Sequence, residues 1–392
     1  MTTTSTGDSF ADDLLGTNSY DFERPPKKDF LPWHRPRKQF VREKQWAEQL
    51  LKLVTDSPPE TGVIKYLGLP GDDLLDLRHF HDKICAPNGL KLKFLGFNKG
   101  MKPGEEHKTE LEISLDEVNR LPYVDNTSKL VDYDFTKIAL PRSSAWNDSQ
   151  KMGPFDIINI DLCDGFAKQP SSGFKDTHYN TLSTLMTLQS KRIQPWLLML
   201  TTRTDSEGVD SNVFQRLKSL YDKNLEECAG FGHASNECFS VNTLESLEGY
   251  CKNELGFSNI FIISLCKWIL GIALDQNPPS KMALKNAFGY KVFAKSTCPN
   301  LVSIAIEITP TFSTSVDRLG LVTNTSETID ECTLATRILK RVNKQLDVDK
   351  ILEEDPEMMS AMITSTSALL NQARYDVANF ENWVRTGDIS QA

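Results

Sequence analysis

Between Val63 and Thr201 the chain repeats one pattern: a short apolar run that reads as a strand, a break, then a stretch with helical spacing. This alternation restricts the fold more than any other feature, because strands joined through helices run parallel in a sheet covered on both faces. Strand one is Val63 to Leu69, broken by Pro70 and Gly71. Asp72 or Asp73 then caps a helix over 72–85, whose Leu74, Leu77, Phe80 and Ile84 share a face. Strand two is Leu90 to Phe97 and ends at Asn98. A polar helix over 115–131 leads through Tyr133, Asp134 and Phe135 to a third strand, Lys137 to Leu140. Strand four, Phe155 to Leu162 (FDIINIDL), is the clearest and closes on Cys163, Asp164 and Gly165. A loop rich in Ser, Gly and Lys follows, placed to act as a lid, and then a helix over 179–192. Strand five, Trp196 to Thr201, leads to a long helix from Ser211 to Cys228.

The second half closes the sheet and adds helices. The longest apolar run, Asn259 to Leu274, has 16 residues with Lys267 inside it. It falls short of the roughly 20 residues that span a bilayer and reads as a buried helix, so no membrane is expected. Two strands follow, Tyr290 to Lys295 and Leu301 to Ile308, and a connection of only Ser-Thr-Cys-Pro-Asn forces them antiparallel. Residues 327–392 read as helical. The expected organisation is a flexible tail at 1–22, an arm and helix at 23–58, an α/β domain at 59–310 and a helical C-terminal region at 311–392. With no basic start followed by an apolar stretch, the N-terminus gives no secretory signal, and the cytoplasm is the expected location. Eight cysteines without a CxxC pair or a zinc quartet read as reduced thiols, and no metal site is predicted.

The arm carries the strongest local charge. Residues 23–46 hold eight Lys/Arg against three acids, interleaved with Phe30, Trp33, Phe40 and Trp46. Trp33, Arg35, Arg37, Lys38 and Arg42 are the residue types that grip phosphates and stack bases, so nucleic acid is an expected partner. A formal net charge of −9 argues against a protein that coats nucleic acid with its whole surface. The competing expectation is an arm lying over its own domain, anchored by Trp33 and Trp46, or docked on a protein partner.

Five strand and helix units closed by an antiparallel hairpin resemble, in element order, the Rossmann-like methyltransferases that use S-adenosylmethionine. The resemblance spans some 250 residues. It implies that the turn after strand one, with Pro70, Gly71 and Asp72, holds the methionine part of the cofactor. Asn98 stands where an acid usually takes the ribose hydroxyls, and Asp134 with Phe135 resembles the adenine contact after strand three. The end of strand four maps Asp161, Cys163 and Asp164 beside the transferred methyl, with Asp161 and Asp164 as the catalytic candidates. The first turn has fewer glycines than the family's motif, only Gly68 and Gly71. The expected function is therefore an S-adenosylmethionine-binding, methyltransferase-fold protein acting on or near nucleic acid. The alternative is an inactive relative that serves as an interaction protein in an assembly, using its long helical additions. A weaker third option is a hydrolase or ligase with a metal at Asp161 and Asp164. His79 and His81, two apart on a helix, cannot share a metal and read as structural, while His178 and Arg203 border the presumed cleft.

Overall fold

The apolar runs of the first half pair into the parallel part of one sheet. In a computed structural model, residue 27 and residues 29–99, 105–169, 174–292, 296–311, 319, 321 and 329–386 are described. The tail expected at 1–22 and residues 170–173 of the expected lid lie outside them. The strands are β1 (Val63–Gly68), β2 (Lys91–Phe97), β3 (Lys129–Val131), β4 (Ile157–Asp161), β5 (Trp196–Arg203), β6 (Ser280–Tyr290), β7 (Leu301–Pro310) and β8 (Leu346–Asp347). Among the described residues they form one sheet in the order β3-β2-β1-β4-β5-β7-β6-β8. β1 to β5 are parallel, and β7 runs antiparallel to both β5 and β6. The fold is a mixed, mostly parallel α/β sheet of Rossmann-like type, and the strand order reverses direction between β1 and β4.

The arm helix α1 (36–56) runs through Pro36–Val41, a π-helical stretch Arg42–Ala47 and Glu48–Asp56. The helices that follow are α2 (Leu75–Phe80), α3 (Glu105–Asn119), α4 (Ser144–Met152), α5 (His178–Gln189), α6 (Ser211–Glu227), α7 (Ala229–Phe239), α8 (Leu244–Tyr250) and α9 (Glu254–Leu274). After the hairpin come α10 (Glu331–Val342), α11 (Val348–Glu354), α12 (Pro356–Gln372) and α13 (Phe380–Thr386). α9 is long and apolar enough to cross a membrane by composition, yet most of its side chains are buried inside the protein.

Side chains alternate across the sheet with period two and divide the interior into two cores. Leu67, Leu95, Ile158, Ile160, Leu198 and Leu200 join one core with α4 to α10. Their neighbours Tyr66, Phe94, Ile157, Leu197 and Met199 join the other, under α1, α2, α11 and α12.

Several boundaries differ from expectation for local reasons. The polar helix is Glu105–Asn119 rather than 115–131, because Pro122 cannot continue a helix. Strand three is Lys129–Val131, and Phe135–Ala139 forms a 3-10 turn whose Asp134 accepts the Thr136 N–H at 3.0 Å. Neither Asp72 nor Asp73 caps α2; its N-cap is Leu74, held at φ +52 with no side-chain cap. The first hairpin strand is Ser280–Tyr290, earlier than Tyr290 to Lys295, of which 293–295 lie outside the described residues. Its lysines, Asn286 and a bulge between Leu284 and Asn286 hide the strand pattern. Cys228 and Cys332 form a disulfide across 104 residues, against the expectation of free thiols throughout. Such a separation leaves no spacing signal in the sequence.

Candidate functional site

The carboxyl ends of β1, β2 and β4 meet where the strand order reverses, which is where open α/β sheets take ligands. The turn after β1 is shaped by Leu74. Its left-handed backbone costs on the order of 1–3 kcal/mol and is held by complete burial of the side chain. The turn sends Asp73 inward and leaves Gly71 and Asp72 exposed. A Cβ on Gly71 would meet nothing within 4 Å, so the space over the turn is open. Gly68 has another use: a Cβ there would lie 2.1 Å from the Tyr66 hydroxyl, so the missing side chain makes room for that ring rather than for a ligand.

Around this opening the side chains of three strand ends gather. Asn98, after β2, donates from its amide to Asp72 Oδ1 at 2.9 Å and to the Pro70 carbonyl at 3.2 Å. Asp134, after β3, is half-buried, with Lys99 Nζ 3.6 Å away. Burial pushes its carboxyl up, but the Thr136 hydroxyl and amide together with Lys99 hold it below the ordinary value. Phe135 is buried and stacks on His178, which lies against Phe166 on its other side, with centroids 5.4 and 5.5 Å apart. Burial lowers the His178 pKa, and its Nδ1 lies 3.0 Å from the Phe166 carbonyl oxygen. This neutral, sandwiched ring is a packing group. Asp164, exposed after β4, accepts from the Gly165 amide at 2.8 Å and from Lys168 Nζ at 2.7 Å. Arg203 lies 3.9 Å from Asp164 and 2.8 Å from Asp205.

A second set of acids is consumed internally by the arm. Asp161, at the end of β4, is bonded by Lys38 Nζ at 2.5 Å, and the same ammonium lies 4.5 Å from the Trp46 ring centre. Burial works against the Lys38 charge, yet the Asp161 carboxylate overcomes it and raises the pKa above the ordinary value. Tyr290 shares this pocket and is pushed up to about 12, chiefly by burial. Arg42 Nε pairs with Asp76 at 2.7 Å, both nearly fully buried. Asp73 receives Lys27 at 2.5 Å and the Tyr375 hydroxyl at 2.8 Å, with His34 at 3.6 Å. Burial opposes its charge, but these partners hold its carboxyl well below the usual range. Arg37 pairs with Asp349 at 3.3 Å, and Arg35 lies 4.7 Å from the centre of the Trp383 ring.

The expected residues thus fall into two groups. One lies at the strand ends: Asn98 contacts Pro70 and Asp72, which flank Gly71 after β1, while Asp134 and Phe135 follow β3 and Asp164 follows β4. Lys38 and Arg42 do not face outward to meet phosphates: they are buried against the chain's own carboxylates, and Arg37 is engaged with Asp349. Trp33 is 37% exposed, whereas Trp46 is fully buried. Asp76 was not anticipated, and its signal was faint: an acid on the face of a helix otherwise marked by Leu77 and Phe80. For Asp161 the signal was clearer, because in FDIINIDL the polar Asn159 and Asp161 alternate with Ile158 and Ile160. His79 and His81 are structural, as expected. His79 lies 3.3 Å from the Gln39 amide, and His81 contacts Asp82 and the Pro122 carbonyl.

No curated protein matches the chain. The profile of one family matches residues 27–385, which include the arm, the sheet and the C-terminal helices. The chain belongs to the PP_RS20740-like family.

Proposed function

We propose that the chain binds S-adenosylmethionine at the carboxyl edge of β1, β2 and β4 and is a methyltransferase-fold protein, with nucleic acid as the first acceptor class to test. The observation that supports this is the rim itself. Asp72, Asn98, Asp134 and Asp164 follow the ends of β1, β2, β3 and β4, and Asn98 meets Asp72 next to the open space over Gly71. Their donor set fits the cofactor: the Asn98 amide and the Asp72 carboxylate suit a ribose diol, and Asp134 suits the adenine amine. Asp72, Asp134 and Asp164 are the carboxylates available to a sulfonium or an ammonium, the last two with Lys99 and Lys168 already beside them. When bound, the cofactor supplies a methyl group on sulfur; the chain's part is to position it and to hold the acceptor beside Asp164.

A second proposal, an interaction protein that has given up methyl transfer, has its own support. Lys38 sits on Asp161, one of the two carboxylates that the resemblance puts beside the transferred methyl. Calorimetric titration of the full chain with S-adenosylmethionine and S-adenosylhomocysteine, with ATP and NAD as controls, separates the two. Micromolar binding of the first pair alone, weakened at least tenfold by Asp134→Ala, is the expected outcome. No binding by any of the four would retire the cofactor site in favour of the interaction protein.

A further inference from the structure

The helix α10 packs on β6 with its apolar positions turned inward: Ala335, Ile338, Leu339 and Val342, three and four apart, are buried. The outward face carries cations at the same spacing. Arg337, Lys340 and Arg341 are exposed there, and Lys344 is exposed in the turn that extends the helix, where its N–H donates to the Arg341 carbonyl at 3.1 Å. Together they line one groove, over the buried Met282, Leu284 and Ile338. The apolar floor strengthens the field of the cations, because low-dielectric walls focus field lines.

A charged helix face is usually a solvated surface. On other helices of this chain, however, exposed cations pair with an acid four residues away, as Lys44 with Glu48, Lys223 with Glu227 and Lys350 with Glu354. No acid stands three or four residues from Arg337, Lys340 or Arg341, and among the described residues none of the four cations is paired with a carboxylate. The helix dipole favours Lys340 and Arg341 in the last turn but does not extend to Arg337. Like charges at this spacing repel, so the stripe opposes its own helix until an anion sits on it. In a chain of net charge −9, four neighbouring cations without acids stand apart.

We propose that the outer face of α10 receives the sugar-phosphate backbone of a nucleic-acid duplex, an inference that rests on the acceptor class proposed above and not on the cofactor. Charge density selects the anion. From Arg337 to Lys344 the helix rises roughly 10 Å, about one cation per 3.5 Å, and each strand of a duplex carries a phosphate about every 3.4 Å of axis. Alternate carboxylates of an extended peptide lie about 6.8 Å apart, half that density. A membrane surface fits less well, since the apolar side of α10 is turned into the protein and has nothing to insert. Among the described residues no aromatic side chain lines the groove, so the contact is to phosphates rather than to stacked bases, which favours a duplex over a single strand. The stripe also leads to the carboxyl edge of the sheet. β8, which follows it, pairs with Phe288 and Gly289, and Gly289 is joined through Val302 to Thr202 near the carboxyl end of β5. That edge is the one that carries Asn98 and Asp164.

The test is fluorescence anisotropy of a short labelled DNA duplex with the full chain, without cofactor, across a range of salt. Contacts to four phosphates should lower the affinity on the order of a hundredfold between about 50 and 200 mM salt. R337Q/R341Q keeps good helix formers and removes two contacts; it should weaken binding on the order of tenfold at about 50 mM salt and reduce the salt slope by about two. K44Q/K223Q makes the same change in net charge at cations that have acid partners, and should leave affinity and slope as they are. No duplex binding, an unchanged slope in R337Q/R341Q, an equal loss in K44Q/K223Q, or displacement by poly-glutamate at a lower charge concentration than by unlabelled duplex would overturn the proposal. Duplex binding with the expected slope in a chain that takes up no S-adenosylmethionine would uphold it while the cofactor site falls.

Discussion

The two faces of the sheet solve the same packing problem with different chemistry. Toward α4 to α10, the strands contribute Leu67, Ile158, Ile160, Leu198, Leu200, Val302, Ile304 and Ile306, an apolar layer covered by the apolar α9. Toward α1, the same strands present Asp161, Thr201 and Ser303, met by Lys38, Gln45 and Trp46. Beside them Arg42 meets Asp76, while Gln39 Oε1, Arg42 Nη1 and Gln45 Oε1 have no hydrogen-bond partner among the described residues. An apolar interface gains from every area it buries, whereas a buried ion pair must first offset the cost of stripping water from both charges. The arm helix is therefore held by apolar packing through Phe40, Trp46 and Leu50 and, beside it, by polar groups whose value depends on all partners being present. This teaches that Lys27, Arg37, Lys38 and Arg42 answer the chain's own acids, Asp73, Asp349, Asp161 and Asp76.

The largest expected effect breaks one side of that comparison. Asp76→Ala leaves the Arg42 guanidinium buried without its carboxylate and should cost about 3–5 kcal/mol in urea unfolding. The double change Arg42→Met with Asp76→Leu removes both charges and should fall between neutral and about 4 kcal/mol more stable than the single variant's parent. A double variant as unstable as Asp76→Ala would mean that the arm is held by shape alone and that its ion pairs are incidental.

A smaller effect comes from His79, which lies on the same polar face. Burial, aided by the nearby Arg42 charge, lowers its pKa from the ordinary 6.5 to about 4. The unfolded chain therefore takes up a proton below about 6.5 that the folded chain refuses until about 4. The contribution is complete above the unfolded value and is lost as the pH falls through that window, by roughly 3 kcal/mol in all. His79→Gln should flatten this limb of the stability profile between pH 6.5 and 4 while leaving the steeper carboxylate limb below it. An unchanged slope would place the titration elsewhere. His178, packed between Phe135 and Phe166 of the other core and also lowered by burial, acts in the same direction, so the limb should flatten in His79→Gln rather than vanish.

What the sequence made legible follows the same division. Strand positions on the apolar face were read within a residue or two at β1, β2, β4 and β5, because runs such as FDIINIDL and WLLMLT have few other uses. Pro70, Gly71, Asp72, Asn98 and Asp164 were placed by the ends of β1, β2 and β4, whereas Asp134 and Phe135 follow a third strand that was expected at 137–140 and lies at Lys129–Val131. The arm's partners were not legible. Lys38 and Asp161 are 123 residues apart, and local spacing in a basic segment cannot distinguish a cation aimed at phosphate from one aimed at a distant carboxylate. β6 was missed for a related reason: Lys281, Lys285 and Asn286 interrupt it, so it lacks the apolar run of a central strand.

The smallest effect sharpens the contrast by keeping the chemistry and changing only the solvent. Lys168 and Asp164 make a 2.7 Å pair like that of Arg42 and Asp76, but both side chains are about half exposed. Lys168→Ala should change stability by less than about 1 kcal/mol, since water replaces the lost ammonium. Its signature is instead in the titration of Asp164. Burial pushes that carboxyl up, and Lys168, the Gly165 amide and Arg203 together hold it below the ordinary value. Removing Lys168 should move the Asp164 midpoint upward in a carboxylate NMR titration without returning it fully, because the Gly165 and Arg203 contacts remain. If stability fell instead by as much as in Asp76→Ala, the rim carboxylate would be a structural group like those under the arm, and Asp164 would lose its claim to a place in the open site.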